Sequence, residues 1–247
     1  MTAIILAAGR ARQPASPAGD AHSPVPSVGG RPVVAWMLDH LRAVGASRAV
    51  VVVGPGAEPV PAIVTRARRG LPVRYVDDPG EAHGSAQSLY RARDAFRGEV
   101  TLIMDAALVF PREALRRLVE ARAPNALLCD RGGRARTGEP RVYTRTNRVV
   151  ALARDVVPMS WDTVGANVGI WKCGASVGRD LVALLEELIS DGGAPDYEDA
   201  VHRLVGARLF RAVDVAGLPW TRVQSEHDLL RAEQVVFPMI QELDGAA

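Results

Sequence analysis

Lysine is nearly missing from this chain. Of its 30 cationic side chains one is a lysine, Lys172, and all others are arginine. A GC-rich genome accounts for that bias by itself, yet any chemistry that needs an ammonium group must use Lys172 or do without. Cysteine is scarce as well. Cys129 and Cys173 stand alone, with no second thiol or histidine at metal-ligand spacing. This excludes a disulfide framework and a thiolate metal site, and makes a reduced cytoplasm the expected setting. No apolar run approaches the roughly 20 residues that span a bilayer. Met1 leads straight into an apolar strand rather than a signal peptide. Charge of one sign is lacking too: a net charge of +2 is too mild to argue for nucleic acid. No serine stands in a nucleophile-elbow context and no histidine pair has ligand spacing, so hydrolase and zinc readings have no support.

What is present is an alternation. The chain has 247 residues, 48% hydrophobic and 23% charged, enough for a full core in one large domain. Residues 2–8 read as a buried strand that runs into Leu6-Ala7-Ala8-Gly9, small residues that let backbone N–H groups approach a ligand. Residues 9–30, rich in Pro, Ala, Ser and Gly, read as an extended loop carrying Arg10 and Arg12. Helices follow over 32–44, 63–70, 85–96 and 111–121, with strands over 49–53, 73–76 and 100–104. Trp36 falls at helical spacing with Val33 and Met37 and reads as core. This β-α order implies right-handed crossovers and a doubly wound sheet.

After residue 126 the pattern changes to short strands over 126–130, 141–144 and 149–154, with Asn147 near a hairpin turn. A strand over 165–172, helices over 177–190 and 196–205, a strand over 208–215 and one closing helix over 225–242 complete the chain. The fold class expected is α/β: a Rossmann-like doubly wound mixed sheet with a small antiparallel β-extension. In such a sheet the ligand lies beyond the carboxyl ends of the parallel strands. That puts residues 7–12, 77–88 and 105–107 on one crevice.

At these residues the chain resembles the nucleotidyltransferases that activate sugar, polyol or choline phosphates, which share a MobA-like NTP transferase fold. In particular it resembles the cytidylyltransferases acting on phosphocholine and inositol phosphate. The resemblance rests on an ordered set: Leu6-Ala7-Ala8-Gly9-Arg10-Ala11-Arg12-Gln13, Val28-Gly29-Gly30-Arg31-Pro32, Gly84-Ser85-Ala86-Gln87-Ser88-Leu89, and Met104-Asp105-Ala106-Ala107. Tyr197-Glu198-Asp199 and Gly217-Leu218-Pro219-Trp220 complete it. It implies a single nucleotidyltransferase-like domain over 1–247, with a nucleotide-binding half (1–125) and an acceptor-binding, closing half (126–247).

The implied reaction is attack of a substrate phosphate oxygen on the α-phosphorus of a nucleoside triphosphate, CTP by preference, with release of pyrophosphate. It needs backbone donors, cationic side chains and carboxylates that hold Mg²⁺. The departures fall on these parts. Ala11 replaces a loop glycine, Gln13 a loop arginine, and residues 23–25 hold no lysine. Ala107 and Gln224 stand where the resemblance expects metal-binding carboxylates, which leaves Asp105.

The candidate catalytic residues are therefore Arg10, Arg12 and Asp105, with Asp105 also the candidate magnesium ligand. Leu6, Ala7, Ala8, Gly9, Gly84, Ser85 and Ser88 are the candidate nucleotide contacts. Lys172, Glu198, Asp199 and Trp220 are the candidate acceptor contacts. Alternatives stay open beside these: Asp105 as a solvated strand-end residue, Ser85 and Asp199 as helix caps, Lys172 as a surface lysine. Two functions are expected: cytidylyl transfer to a small alcohol phosphate, or a catalytically degenerate relative serving as a regulatory or scaffold subunit. The expected partners are the two small molecules, with neither nucleic acid nor membrane, and a homo-oligomer or an active paralogue as possible company.

Overall fold

Six consecutive buried side chains in Thr2–Ala7 make a strand, β1, that belongs at the centre of a sheet covered on both faces. The computed structural model describes residues 1–8, 26–55, 59–78, 84–98, 100–133, 135 and 138–245. After β1 come a two-strand ribbon of β2 (Ser27–Val28) and β3 (Arg31–Pro32), then α1 (Val33–Ala43), β4 (Arg48–Val53), α2 (Pro59–Ala67) and β5 (Val73–Asp77). Helix α3 (Gly84–Arg91), a 3-10 turn (Arg93–Arg97), β6 (Val100–Asp105), β7 (Leu108–Val109) and α4 (Arg112–Glu120) finish the first half.

The second half supplies β8 (Ala126–Asp130), β9 (Arg141–Arg145), β10 (Arg148–Ala153), the long β11 (Thr163–Gly174), α5 (Ala175–Ser190), α6 (Tyr197–Ala207) and β12 (Arg211–Asp214). Strand β13 (Thr221–Arg222) precedes a terminal helical run: α7 (Glu226–Arg231), a π turn (Ala232–Val236) and α8 (Phe237–Gly245).

The main sheet runs β5-β4-β1-β6-β11-β8-β12-β10-β9. Strand β1 is parallel to both β4 and β6, and β4 is parallel to β5. Strand β11 joins β6 antiparallel, and its early residues also pair with β9, from Thr163 opposite Thr144 to Ala166 opposite Arg141. The strands β11, β8, β12, β10 and β9 thereby close on themselves. Alternation puts Ile5, Val51 and Met104 against α1, α4 and α8, and Ile4, Val52 and Ile103 against α3, α5 and α6. The α/β sheet with an antiparallel extension is the architecture read from the sequence; the closure of that extension is additional.

Three local readings change. Helix α2 starts at Pro59, because a proline's missing N–H is no loss in a first turn. The end of the loop expected over 9–30 is the β2–β3 ribbon, turning at Gly29 and Gly30 with φ +62° and +67°. The closing helix is interrupted by the π turn. That turn helps present Glu233 and Phe237 to the ribbon: Gly29 N–H donates to both Glu233 oxygens at 3.0 Å, and any side chain on Gly29 would run into the Phe237 ring. Trp36 is only partly buried; its indole N–H donates to the Val28 carbonyl at 3.1 Å and its ring stacks under Arg31.

Candidate active site

Strand β6 ends at Asp105, at the carboxyl edge of the parallel strands, where a doubly wound sheet opens its crevice. Both carboxylate oxygens are engaged. Oδ1 accepts from the Tyr197 hydroxyl at 3.1 Å, and Oδ2 faces Arg222 Nη2 at 3.2 Å. The same nitrogen reaches the Val168 carbonyl at 3.4 Å. Arg222 comes back over Asp105 because β13 pairs antiparallel with β7, just after β6.

Beneath the pair lies Gly169, at φ +89°, in the part of β11 where the register with β8 shifts. A Cβ there would stand 2.5 Å from Arg222 Nη2 and 2.7 Å from Asp105 Oδ2. Only glycine tolerates this backbone and this approach.

Helix α6 completes the cluster. Tyr197, in its first turn, is fully enclosed with its ring edge-on to Trp171 at 5.8 Å. Glu198 follows, buried and facing the same charges; burial and then the nearby Asp105 push its carboxyl up to about 8. Burial raises Asp105 too, against the pull of Arg222 and the Tyr197 hydroxyl. Because Arg222 sits on Asp105, the negative charge belongs there and Glu198 holds its proton at neutral pH.

The start of α6 is tied to the start of α3. Ser85 Oγ donates to Asp196 at 3.1 Å and accepts from Tyr197 N–H at 3.0 Å. Asp196 and Asp199 form a capping box, and Arg154 pairs with both carboxylates. Gly84 has φ +70° and lies flat on the backbone of Ala194 and Pro195, where a side chain has no room. Ser88 donates to Asp78.

The sequence-level candidates thus separate. Asp105 and Glu198 meet in one cluster, and Gly84, Ser85 and Asp199 line the adjoining seam between helices. Leu6 and Ala7 end β1, which pairs Leu6 with Asp105. Gly9, Arg10 and Arg12 lie outside the described residues.

Lys172 requires a correction. It lies within β11, paired with Leu102 well before the Asp105 end of β6, and is 5% exposed. Its Nζ donates to the carbonyls of Val119 at 3.2 Å and Ala121 at 2.6 Å, at the end of α4. It satisfies carbonyls that the helix leaves open, so it neither snorkels on the surface nor faces the cleft. The Trp220 indole N–H is committed to Asp130 at 2.8 Å. The residue missed from the sequence is Arg222, one arginine among many; its signal was its place between Trp220 and Gln224.

Among the described residues the donor set does not fit a magnesium ion. Mg²⁺ asks for several oxygen ligands, carboxylates among them. Here Asp105 is the remaining carboxylate of the expected set, and a guanidinium covers it. Among the described residues no group of three or more His, Cys, Asp or Glu is placed to hold a metal.

A mixed, doubly wound sheet with a charged cluster at the carboxyl edge of its parallel strands defines an α/β fold of the class that keeps its ligand site at that edge. The particular family follows from comparison with known proteins: residues 3–204 match the MobA-like NTP transferase domain, and the chain belongs to that family. It is 33% identical to the bifunctional protein GlmU of Rhodospirillum rubrum, over 99% of this chain and 55% of that protein. It is 25% identical to the CMP-5'-(3-aminopropyl)phosphonate synthase of Streptomyces rubellomurinus, over 94% of this chain and 38% of that protein. The chain thus spans about half the length, or less, of these curated relatives.

Among solved structures it is similar to the inositol-1-phosphate CTP transferase of T. maritima, with a TM-score of 0.79, 18% identity and coverage of 98% and 95% of the two chains. The CTP:phosphocholine cytidylyltransferase of Streptococcus pneumoniae gives a TM-score of 0.74 at 15% identity, covering 95% and 98%. No helix among the described residues is long and apolar enough to cross a membrane.

Proposed function

We propose that this protein transfers a nucleotidyl group, cytidylyl by preference, from a nucleoside triphosphate to a small acceptor bearing a phosphate. The observation that carries this reading is the buried cluster of Asp105, Tyr197, Glu198 and Arg222 at the carboxyl edge of β6. Structural relatives that use CTP, and a curated relative named for a CMP conjugate, support the choice of base.

An acceptor phosphate oxygen forms the new bond to the α-phosphorus, the bond to the bridging oxygen breaks, and pyrophosphate departs. The protein's work in such a step is to hold two anions together and balance the charge that builds on phosphorus oxygens. Arg10 and Arg12 are assigned to the triphosphate, the backbone of Leu6–Gly9 with Gly84, Ser85 and Ser88 to base and ribose. Protonated Glu198 is assigned to the acceptor, as a donor to its oxygen, and Asp199 and Trp220 are assigned to the acceptor with it. The assay is pyrophosphate release from CTP, UTP, ATP or GTP with a panel of alcohol phosphates, Mg²⁺ included. Release that needs both substrates is the expected result.

One observation favours a second reading. A carboxylate already covered by a guanidinium suits a catalytically degenerate member that binds nucleotide and serves as a regulatory or scaffold subunit. Such a protein gains thermal stability with nucleotide, by RT ln(1 + [L]/Kd), yet yields no pyrophosphate. The absence of both effects would remove the nucleotide from either reading.

A further inference from the structure

We infer that Arg222 is a built-in replacement for a divalent cation on Asp105, so that this cleft takes up its nucleotide's phosphates without a metal ion at that carboxylate. The inference rests on the cleft being the nucleotide site. It goes further in naming which charge meets the phosphates and which ion is excluded.

The geometry makes the replacement structural rather than incidental. The two side chains are 13% and 21% exposed, so water does little to loosen the pair. Arg222 is held in place by strand pairing, with Thr221 opposite Val109 and Arg222 opposite Leu108. Gly169 offers no side chain, and that empty space is where Nη2 reaches Oδ2. A metal ion approaching Oδ2 would have to evict a buried cation and leave it unpaired, which is unfavourable on both counts. The two positions where further carboxylates were expected offer a metal no charge: Ala107 has no side-chain ligand atom, and exposed Gln224 is neutral.

The fork also has capacity left. Both contacts of Arg222 to protein oxygen use Nη2, and among the described residues Nε and Nη1 have no acceptor. A guanidinium anchored at one nitrogen and open at the others is suited to two oxygens of one phosphate group. Electrically, Asp105 and Arg222 cancel, so an anion arriving there does not meet a bare carboxylate.

The test is calorimetric titration of CTP into the full chain, in EDTA and then in excess Mg²⁺. The wild-type dissociation constant is expected to agree within about twofold between the two buffers. Arg222→Gln should weaken binding at least about tenfold in EDTA (about 1.4 kcal/mol) and regain part of it with Mg²⁺; Arg222→Lys should stay indifferent to the metal. A wild-type protein that binds CTP tenfold better with Mg²⁺, and loses that gain in Asp105→Asn, overturns the inference. That comparison needs no Arg222 variant, so it decides even if Arg222→Gln fails to fold, as followed by circular dichroism.

If no nucleoside triphosphate binds in either buffer, the nucleotide reading has failed, and with it the phosphate role of Arg222. Titration of Mn²⁺, read by its electron spin resonance, then decides exclusion by itself. A site present in wild type and lost in Asp105→Asn refutes it, and no such site upholds it.

Discussion

Gly169 sets the spacing at the centre of the cleft. Its φ of +89° and the 2.5 Å and 2.7 Å that a Cβ would leave to Arg222 and Asp105 make it sensitive in two ways. Gly169→Ala is expected to cost about 1–3 kcal/mol from the left-handed backbone alone, and to push the guanidinium off the carboxylate. Urea unfolding reads the first effect and CTP titration the second.

Lys172 gives the opposite expectation. Burial lowers the pKa of its ammonium, and its two bonds hold the end of α4. Lys172→Met should therefore lower stability by about 1–3 kcal/mol, the cost of leaving buried carbonyls unsatisfied. The KM for any acceptor should be unchanged, whereas a phosphate-binding lysine would raise it. At this scale the sequence was a partial guide. Asp105 and Glu198 were legible as candidates through the family resemblance of Met104-Asp105-Ala106-Ala107 and Tyr197-Glu198-Asp199. Arg222 was not, because in an arginine-rich chain a single arginine is no signal until the β7–β13 pairing brings it over Asp105.

Among the elements, the terminal helical run does more than close the chain. Asp244 on α8 accepts the Arg112 N–H at the open start of α4, at 3.1 and 3.2 Å, and faces His40 of α1 at 3.5 Å. Burial raises the Asp244 carboxyl, but the bond from His40 and the Arg112 N–H outweigh it and hold its pKa below the ordinary value of 3.8. A carboxyl lowered on folding adds stability above its unfolded pKa and loses it as pH falls through the folded one. Acid titration of the urea midpoint should show this loss below about pH 4, and Asp244→Asn should flatten it.

The π turn serves the same run. Phe237→Ala should loosen the Gly29 turn and cost about 3–5 kcal/mol if the site cannot collapse, as measured by thermal unfolding. Neither device was legible beforehand. Residues 225–242 carry ordinary helical periodicity, and a π turn is chosen by what the helix packs on.

For the molecule as a whole, the first half was legible because the central strands β1, β4 and β6 are largely apolar runs separated by helical periodicity at regular intervals. That pattern has few solutions: β1, β4, β5 and β6 in parallel, layered by helices. The closure of β9 onto β11 joins residues about 20 apart through backbone bonds, which side-chain pattern does not encode. The expected cleft at the carboxyl edge followed from topology alone, while its charge arrangement depended on contacts between distant segments.

The ring closure has one more effect. With β9 bonded on both sides, β5 is left as the border strand at the parallel end of the main sheet among the described residues. A free border is where foreign strands add and chains aggregate. On β5 the exposed positions are Arg74 and Asp77, charges that discourage such additions. Unwanted self-association through that border is therefore guarded.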